Sequence, residues 1–431
     1  MKSCFKWFLV IMVVVGIMLI ASIFSFPDLF SLYYVPHFTF NFNIYEFVRN
    51  QKENCQWLDA TYPPLYYLYT GIYLKALNWL GVLKNGVFET NMCPVAEMLW
   101  SQSFLFWVKF HYLIWHLLSA WVFSKLFDKK RFEWFLIWLI NPVAIFVSFV
   151  QGQYEIIPTF FTILAIYLFF KKKHLWGTAL AIGIAGGFKN FPFLLLIPWV
   201  MIINKGWLTK LKYVLLALIP YILVFGLFKS PAYLTAMMFS ENSKMLLTGF
   251  SIGEGNVSVY LLLYGLSLLL LYFWSDKVKM NQANVGKILC WFYAIYFLTT
   301  FWFPQRLLFL IPFLLLTSSR SRKIFNTLPI IYLLFFGYTW LLFPGLFDHN
   351  LLIPILNNFQ GINYRMIELT WIRTGVFTAM LTSLLAVVLI TFRKVKNDKV
   401  IEIGNSDLWW QLAPLLIYLA ALAVAVAATG S

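Results

Sequence analysis

Residues 141–155 read Asn141-Pro142-Val143-Ala144-Ile145-Phe146-Val147-Ser148-Phe149-Val150-Gln151-Gly152-Gln153-Tyr154-Glu155. The chain continues through an apolar span to Lys171-Lys172-Lys173, a second apolar span, and Phe188-Lys189-Asn190-Phe191-Pro192. One apolar segment ends in a polar knot at Gln151–Glu155, and the next begins at once at Ile156. Two hydrophobic spans therefore meet at one face around a carboxylate. In a membrane protein an ionisable residue so placed marks a functional site by default.

Composition sets the class. The chain is 61% hydrophobic, 20% aromatic and 12% charged, with a mean hydropathy of +0.77. Soluble domains lie near 45–50% apolar and about 25% charged. The expectation is a single-domain, all-α, polytopic membrane protein over 1–431, with about 11–13 transmembrane helices. The net charge of +16 does not indicate nucleic acid, because 22 of the 33 Lys and Arg fall in short runs between apolar spans. Those runs are Lys2 and Lys6, Lys125–Arg131, Lys171–Lys173, Lys205–Lys212, Lys277–Lys287, Arg320–Lys323 and Arg393–Lys399. They occupy every second loop, which is the positive-inside pattern of a multi-pass protein in contact with membrane lipid. The N-terminus is then cytoplasmic and the loops 27–100, 229–256 and 344–370 face outward or into a lumen. Residues 4–26 exceed a signal-peptide core and read as a retained first span.

Further spans are expected at about 101–124, 132–150, 156–170, 175–188, 191–203, 213–228, 257–274, 288–303, 307–317, 324–343, 371–392 and 408–428. The span 175–188 carries Gly177, Ala179, Ala181, Gly183, Ala185, Gly186 and Gly187, small residues that let helices approach closely. In loop 27–100, Asn43–Asn50 and Tyr66–Leu83 read as interfacial helices, separated by Tyr62-Pro63-Pro64. Pro304-Gln305-Arg306 reads as a tight corner, and Asn256-Val257-Ser258 matches a glycosylation sequon. Cys4 and Cys290 belong to apolar spans, while Cys55 and Cys93 share the first outer loop, where they are either bridged or two free thiols. No metal-ligand spacing is present; His111 and His116 read as packed histidines.

The side chains fit for chemistry collect on the face opposite the basic runs: Asn41, Asn43, Glu46, Asp59, Gln153, Glu155, Lys189, Glu254, Arg306 and Arg365. Cations along a hydrophobic wall suit a lipid phosphate, and a carboxylate suits activation of a polar acceptor. Glu155 also admits a plain reading as a helix N-terminal charge, and Lys189 as a cation reaching for the interface.

The chain resembles the integral-membrane glycosyltransferases of the GT-C class, most closely the catalytic subunit of GPI mannosyltransferase I and prokaryotic mannosyltransferase relatives. The resemblance runs from about residue 40 to 345. It rests on Ala60-Thr61-Tyr62 with Pro64, Asn141-Pro142, Ser148, Gly152–Glu155, Lys189 with Pro192, Asn256, Ser258, Tyr260, and Gln305 ahead of an apolar run to Pro312. It implies transfer of a sugar, with mannose the first expectation, from a polyprenyl- or dolichyl-phosphate donor to a lipid-linked or surface glycan acceptor at the outer or lumenal face. No other cofactor is implied; an accessory subunit accompanies the eukaryotic relatives. Where the family carries an Asp-x-Asp-like element, this chain has Asn41-Phe42-Asn43. An amide is no base at neutral pH. The role then passes to Glu46 or Asp59 with Glu155 beside the acceptor, or to no base at all if the acceptor is acidic. The remaining alternative is a non-catalytic protein that binds or moves a lipid-linked glycan. Lys189 and Arg306 are the expected phosphate ligands, and Tyr62, Gln153, Asn256, Asn41 and Asn43 the expected positioning residues.

Overall fold

Long apolar runs punctuated by proline and by short basic loops fold here as helices. The structure, a computed structural model, describes residues 2–24, 32–33, 44–51, 62–82, 102–203, 205–238, 251–252, 257–274, 281–300, 303–342, 375–376, 378–383, 385–386 and 401–429. These residues are all-α apart from one short antiparallel ladder pairing Ser251 with Ser258 and Ile252 with Val257. The helices are α1 (Lys2–Ile23), α2 (Ile44–Gln51), α3 (Pro64–Trp79), α4 (Gln102–Ser124), α5 (Arg131–Leu139), α6 (Pro142–Val150), α7 (Ile156–Tyr167) and α8 (Leu175–Phe188). There follow α9 (Phe191–Ile202), α10 (Trp207–Phe228), α11 (Pro231–Met238), α12 (Val259–Trp274), α13 (Gln282–Thr299), α14 (Ile311–Ser318), α15 (Arg322–Leu342) and α16 (Asn405–Thr429).

Helices α2 and α3 fall within 27–100, where two helices are expected. The span expected over 132–150 is instead broken, with α5 and α6 bent by 42°. Pro142 lacks an N–H and cannot continue the ladder of α5. Asn141 restarts it: its Oδ1 accepts from the Ala144 N–H at 3.0 Å, and its Nδ2 donates to the Tyr332 hydroxyl of α15 at 3.1 Å. The last five residues of α6 widen into a π turn, so the Gln151 N–H bonds the Phe146 carbonyl at 2.9 Å. Such π turns recur at functional sites. Two further boundaries move: α10 begins at Trp207 rather than 213, and a 3-10 turn over Pro304–Phe309 takes the place of the tight corner. Loop 344–370 and most of the span 371–392 lie outside the described residues.

Helix α8 sits at the centre of the packing. A Cβ on Gly183 would collide with the Ala217 carbonyl of α10, one on Gly186 with the Phe193 ring, and one on Gly187 would stand 2.9 Å from Leu65 Cδ2. The stripe of small residues thus brings α8 into backbone contact with α10.

Cross-contacts gather the basic runs at 2–6, 125–131, 171–173, 205–212 and 320–323 at one end of the bundle. Lys6 lies over the Phe132 ring, Lys171 pairs with Asp128 at 2.8 Å, Lys212 lies over Trp176, and Trp134 meets Phe325 edge-on. Arg322 pairs with Asp407 and donates to the Glu402 carbonyl. The exterior of α1, α10 and α12 is apolar and open: Phe5, Trp7, Leu208, Leu223 and Phe273 are each more than half exposed. By length and composition α1 and α10 could each cross a membrane, and so could the bent pair α5–α6; α8, α9 and α12 are apolar but shorter.

Candidate functional site

The knot at Gln151–Glu155 lies at the end opposite the basic loops. Gly152 makes the reversal possible with φ of +69°, a left-handed conformation that disfavours any side chain. The Gln153 N–H then returns to the Val147 carbonyl at 2.9 Å, and α7 starts directly after Glu155. Helices α7 and α8 form an antiparallel pair joined through the three lysines, so the start of one meets the finish of the other. Glu155 stands at the N-terminus of α7 and Lys189 at the C-terminus of α8, each favoured there by the helix dipole.

The two side chains meet. Lys189 Nζ donates to Glu155 Oε1 at 2.5 Å; the carboxylate is fully buried and the lysine side chain 17% exposed. Glu155 makes no side-chain cap bond to its own helix; it sits there as a helix N-terminal charge and is also bound by Lys189. Nor is Lys189 a free interfacial cation. Its ammonium is held 4.9 Å from the Tyr154 ring and 5.7 Å from the Tyr62 ring. Tyr62 meets Tyr154 edge-on, and Tyr66 stacks on Tyr154 with centroids 4.0 Å apart.

Arg306, in the 3-10 turn that packs against α6 and α7, donates to the Tyr296 hydroxyl and lies over the rings of Phe191 and Phe303. Phe191 stands two positions after Lys189, so Arg306 lies toward the same end of the molecule. The structure thus brings Glu155, Gln153, Lys189, Tyr62 and Arg306 to one end of the molecule, around Tyr154.

Around the knot, several buried polar atoms have no partner among the described residues: Glu155 Oε2, Gln151 Oε1, Gln305 Oε1, and the hydroxyls of Ser148, Tyr154 and Thr159. Buried polar groups are almost always satisfied. Three of these atoms can only accept, so what completes them brings donors, as other residues of the chain, the hydroxyls of a polyol or ordered waters do.

Glu46 stands apart from this cluster. Its Oε1 accepts from the Ala232 N–H of α11 at 3.0 Å and its Oε2 pairs with Arg49 at 2.5 Å. One oxygen serves the α2–α11 contact and the other is held within α2. Asn41, Asn43, Asp59 and Asn256, with Cys55 and Cys93, lie outside the described residues. Among the described residues no three His, Cys, Asp or Glu side chains converge on a point that could hold a metal. His111 is packed, with its Nδ1 3.0 Å from the Tyr69 hydroxyl, and His116 Nε2 lies 2.9 Å from the Leu139 carbonyl. Cys4 is exposed and Cys290 buried, both as thiols.

One residue beneath the knot carries no expectation from the sequence. Lys109, fully buried in α4, donates to the carbonyls of Ala21 at 3.1 Å, Phe24 at 2.5 Å and Phe149 at 2.8 Å. All three of its donors are used, tying the C-terminus of α1 to the π turn that delivers Gln151. A lone lysine in an apolar span was the available signal, since a charge there needs a partner. Comparison with protein-family models, with curated proteins and with solved structures found no match.

Proposed function

We propose that this chain is a multi-pass membrane glycosyltransferase of the GT-C type. It would move a sugar, with mannose the first candidate, from a polyprenyl- or dolichyl-phosphate donor to a lipid-linked or surface glycan acceptor. The observation that carries the reading is the polar knot: a buried ion pair and a set of partnerless acceptors enclosed by tyrosines at one end of an apolar bundle. The apolar exterior of α1, α10 and α12 supports the membrane setting. The gathering of basic loops at the other end supports a cytoplasmic N-terminus and a site facing outward or into a lumen.

In this reading the donor phosphate draws Lys189 off Glu155, since a phosphate offers more charge and more oxygens than one carboxylate oxygen. Arg306 supplies the second cation. Glu155 is then uncovered with both oxygens open beside the acceptor hydroxyl, fit to take its proton as that oxygen attacks the anomeric carbon. The bond to the lipid phosphate breaks with inversion, and the leaving charge falls on Lys189 and Arg306. Glu46, engaged on both oxygens, is the weaker base; Asp59 stays a candidate on sequence alone.

A second reading, a non-catalytic protein that binds or moves a lipid-linked glycan, is favoured by Asn41-Phe42-Asn43 in place of the acidic element. The test is transfer in liposomes from a short-chain polyprenyl-phosphate mannose to a panel of lipid-linked acceptors, followed by mass spectrometry. Wild type should transfer and Glu155→Gln should not. Donor binding without transfer or hydrolysis by wild type would favour the binding protein, and transfer surviving in Glu155→Gln but lost in Asp59→Asn would move the base to Asp59.

A further inference from the structure

The basic end carries a second feature, distant from the knot. Between α1, α4 and α5 runs an apolar groove of about 410 Å³, lined by Trp7, Ile11 and Val15 of α1, Leu118 and Trp121 of α4, and Phe135 of α5. Its walls expose no polar surface, and Trp7, Ile11 and Trp121 are 63%, 58% and 52% exposed. Side chains this large are usually buried, and an open apolar trough of this size marks an interaction site.

Its mouth is basic. Lys125 Nζ sits 4.2 Å from the ring of Trp121, a lining residue, and Lys6, next in sequence to the lining residue Trp7, has its Nζ 4.6 Å from the Phe132 ring. Neither lysine has a carboxylate partner among the described residues. The adjoining loop adds Lys129, Lys130 and Arg131 against Asp128 and Glu133, and Asp128 is already taken by Lys171. The groove accepts a hydrocarbon chain, and the excess positive charge at its mouth selects what that chain is attached to.

We propose that this groove binds an anionic phospholipid, one acyl chain lying along α1 and the phosphodiester resting between Lys6 and Lys125. A lipid with a choline headgroup would gain the same apolar contact but place a cation among cations. The arrangement combines a buried tail with a basic rim on the cytoplasmic side of a membrane protein, the chemistry by which anionic lipids are held between helices. This inference rests on the membrane reading and is independent of the transferase chemistry.

The experiment is native mass spectrometry of the full chain in a mild detergent, offered equimolar phosphatidylglycerol and phosphatidylcholine with identical acyl chains. Wild type should retain phosphatidylglycerol over phosphatidylcholine by roughly tenfold, two lysines acting on one headgroup. Lys6→Gln with Lys125→Gln should erase the preference while leaving total bound lipid unchanged; both positions are surface lysines, so the fold is preserved. Ile11→Trp with Leu118→Trp, which fills the groove, should lower retention of both lipids. Equal retention of the two lipids by wild type, a preference that survives loss of both lysines, or full retention by the filled groove would each overturn the site. A chain that stays monodisperse without detergent would instead sink the membrane reading itself.

Discussion

The two ends of the bundle hold their charges in opposite ways. At the basic end the ions are many and, the Arg322–Asp407 pair apart, exposed and loosely matched: Asp128, paired with Lys171, keeps 80% of its side chain exposed, and Lys6 and Lys125 lie against aromatic rings. At the other end the ions are few and enclosed. Lys109 and Glu155 have no measurable exposure, and each is bound by a specific partner. In the proposed membrane setting, charge at the first end would orient the chain and meet solvent or lipid headgroups. At the second, desolvation is too costly to be incidental. The proposed chemistry is placed there, and the contrast can be tested by breaking it.

The largest effect should come from splitting the buried pair. Removing one partner leaves an uncompensated buried charge, so Lys189→Met or Glu155→Leu alone should cost about 3–5 kcal/mol, read as thermal unfolding in detergent. The double variant should recover most of that stability while remaining inactive in transfer. Lys109→Met comes next: it strands three carbonyls that now accept from one ammonium, and should cost about 3 kcal/mol. A loss below about 1 kcal/mol would mean that water replaces the ammonium at this site.

Packing gives a middle-sized contrast. Gly183→Ala forces a methyl against the Ala217 carbonyl, a backbone atom that cannot swing aside, and should destabilise by about 1–3 kcal/mol. Gly286→Ala meets only ordinary contact with Leu316 at 3.4 Å and should be neutral or stabilising by up to about 1 kcal/mol, since alanine is the better helix former.

The smallest effect belongs to the basic end. Hydrogen bonding from Lys171, reinforced by its charge, holds the Asp128 carboxyl below its ordinary value of 3.8. A depressed carboxyl stabilises the fold above that ordinary value, and the contribution fades as pH falls through the lower folded-state value. Because the pair is solvent-screened, Lys171→Ala should cost only about 0.5 kcal/mol at neutral pH and nothing well below pH 3.8. A loss comparable to that of the buried pair would erase the distinction between the two ends.

Much of this was legible in the sequence, for identifiable reasons. Helix type follows from long apolar runs, the gathering of basic loops at one end from their alternation, and the tight α8–α10 contact from the small residues of 175–188. The α5–α6 break was not expected, although Asn141-Pro142 is a helix-restarting pair; hydropathy alone runs straight through it. Glu155 and Lys189 were each singled out, but 34 positions separate them, and only the antiparallel α7–α8 pairing makes them partners. Glu46 looks available because it lies one helical turn from Asn43 on the same face, yet the N-terminus of α11, nearly two hundred residues away, claims one of its carboxylate oxygens. Lys109 was hidden by its apolar surroundings, since its partners are backbone carbonyls, which no side-chain pattern reveals.

The central claim is that an anionic donor takes Lys189 from Glu155 and so uncovers the carboxylate. The most direct measurement is the affinity of monodisperse protein for a short-chain polyprenyl-phosphate mannose, compared across wild type, Lys189→Met and Glu155→Gln. Loss of the phosphate ligand should weaken binding by about 10–100-fold in Lys189→Met. Glu155→Gln should bind at least as tightly as wild type, its competitor for the lysine gone, while failing to transfer. Equal affinity in wild type and Lys189→Met, with the fold intact, would contradict the account.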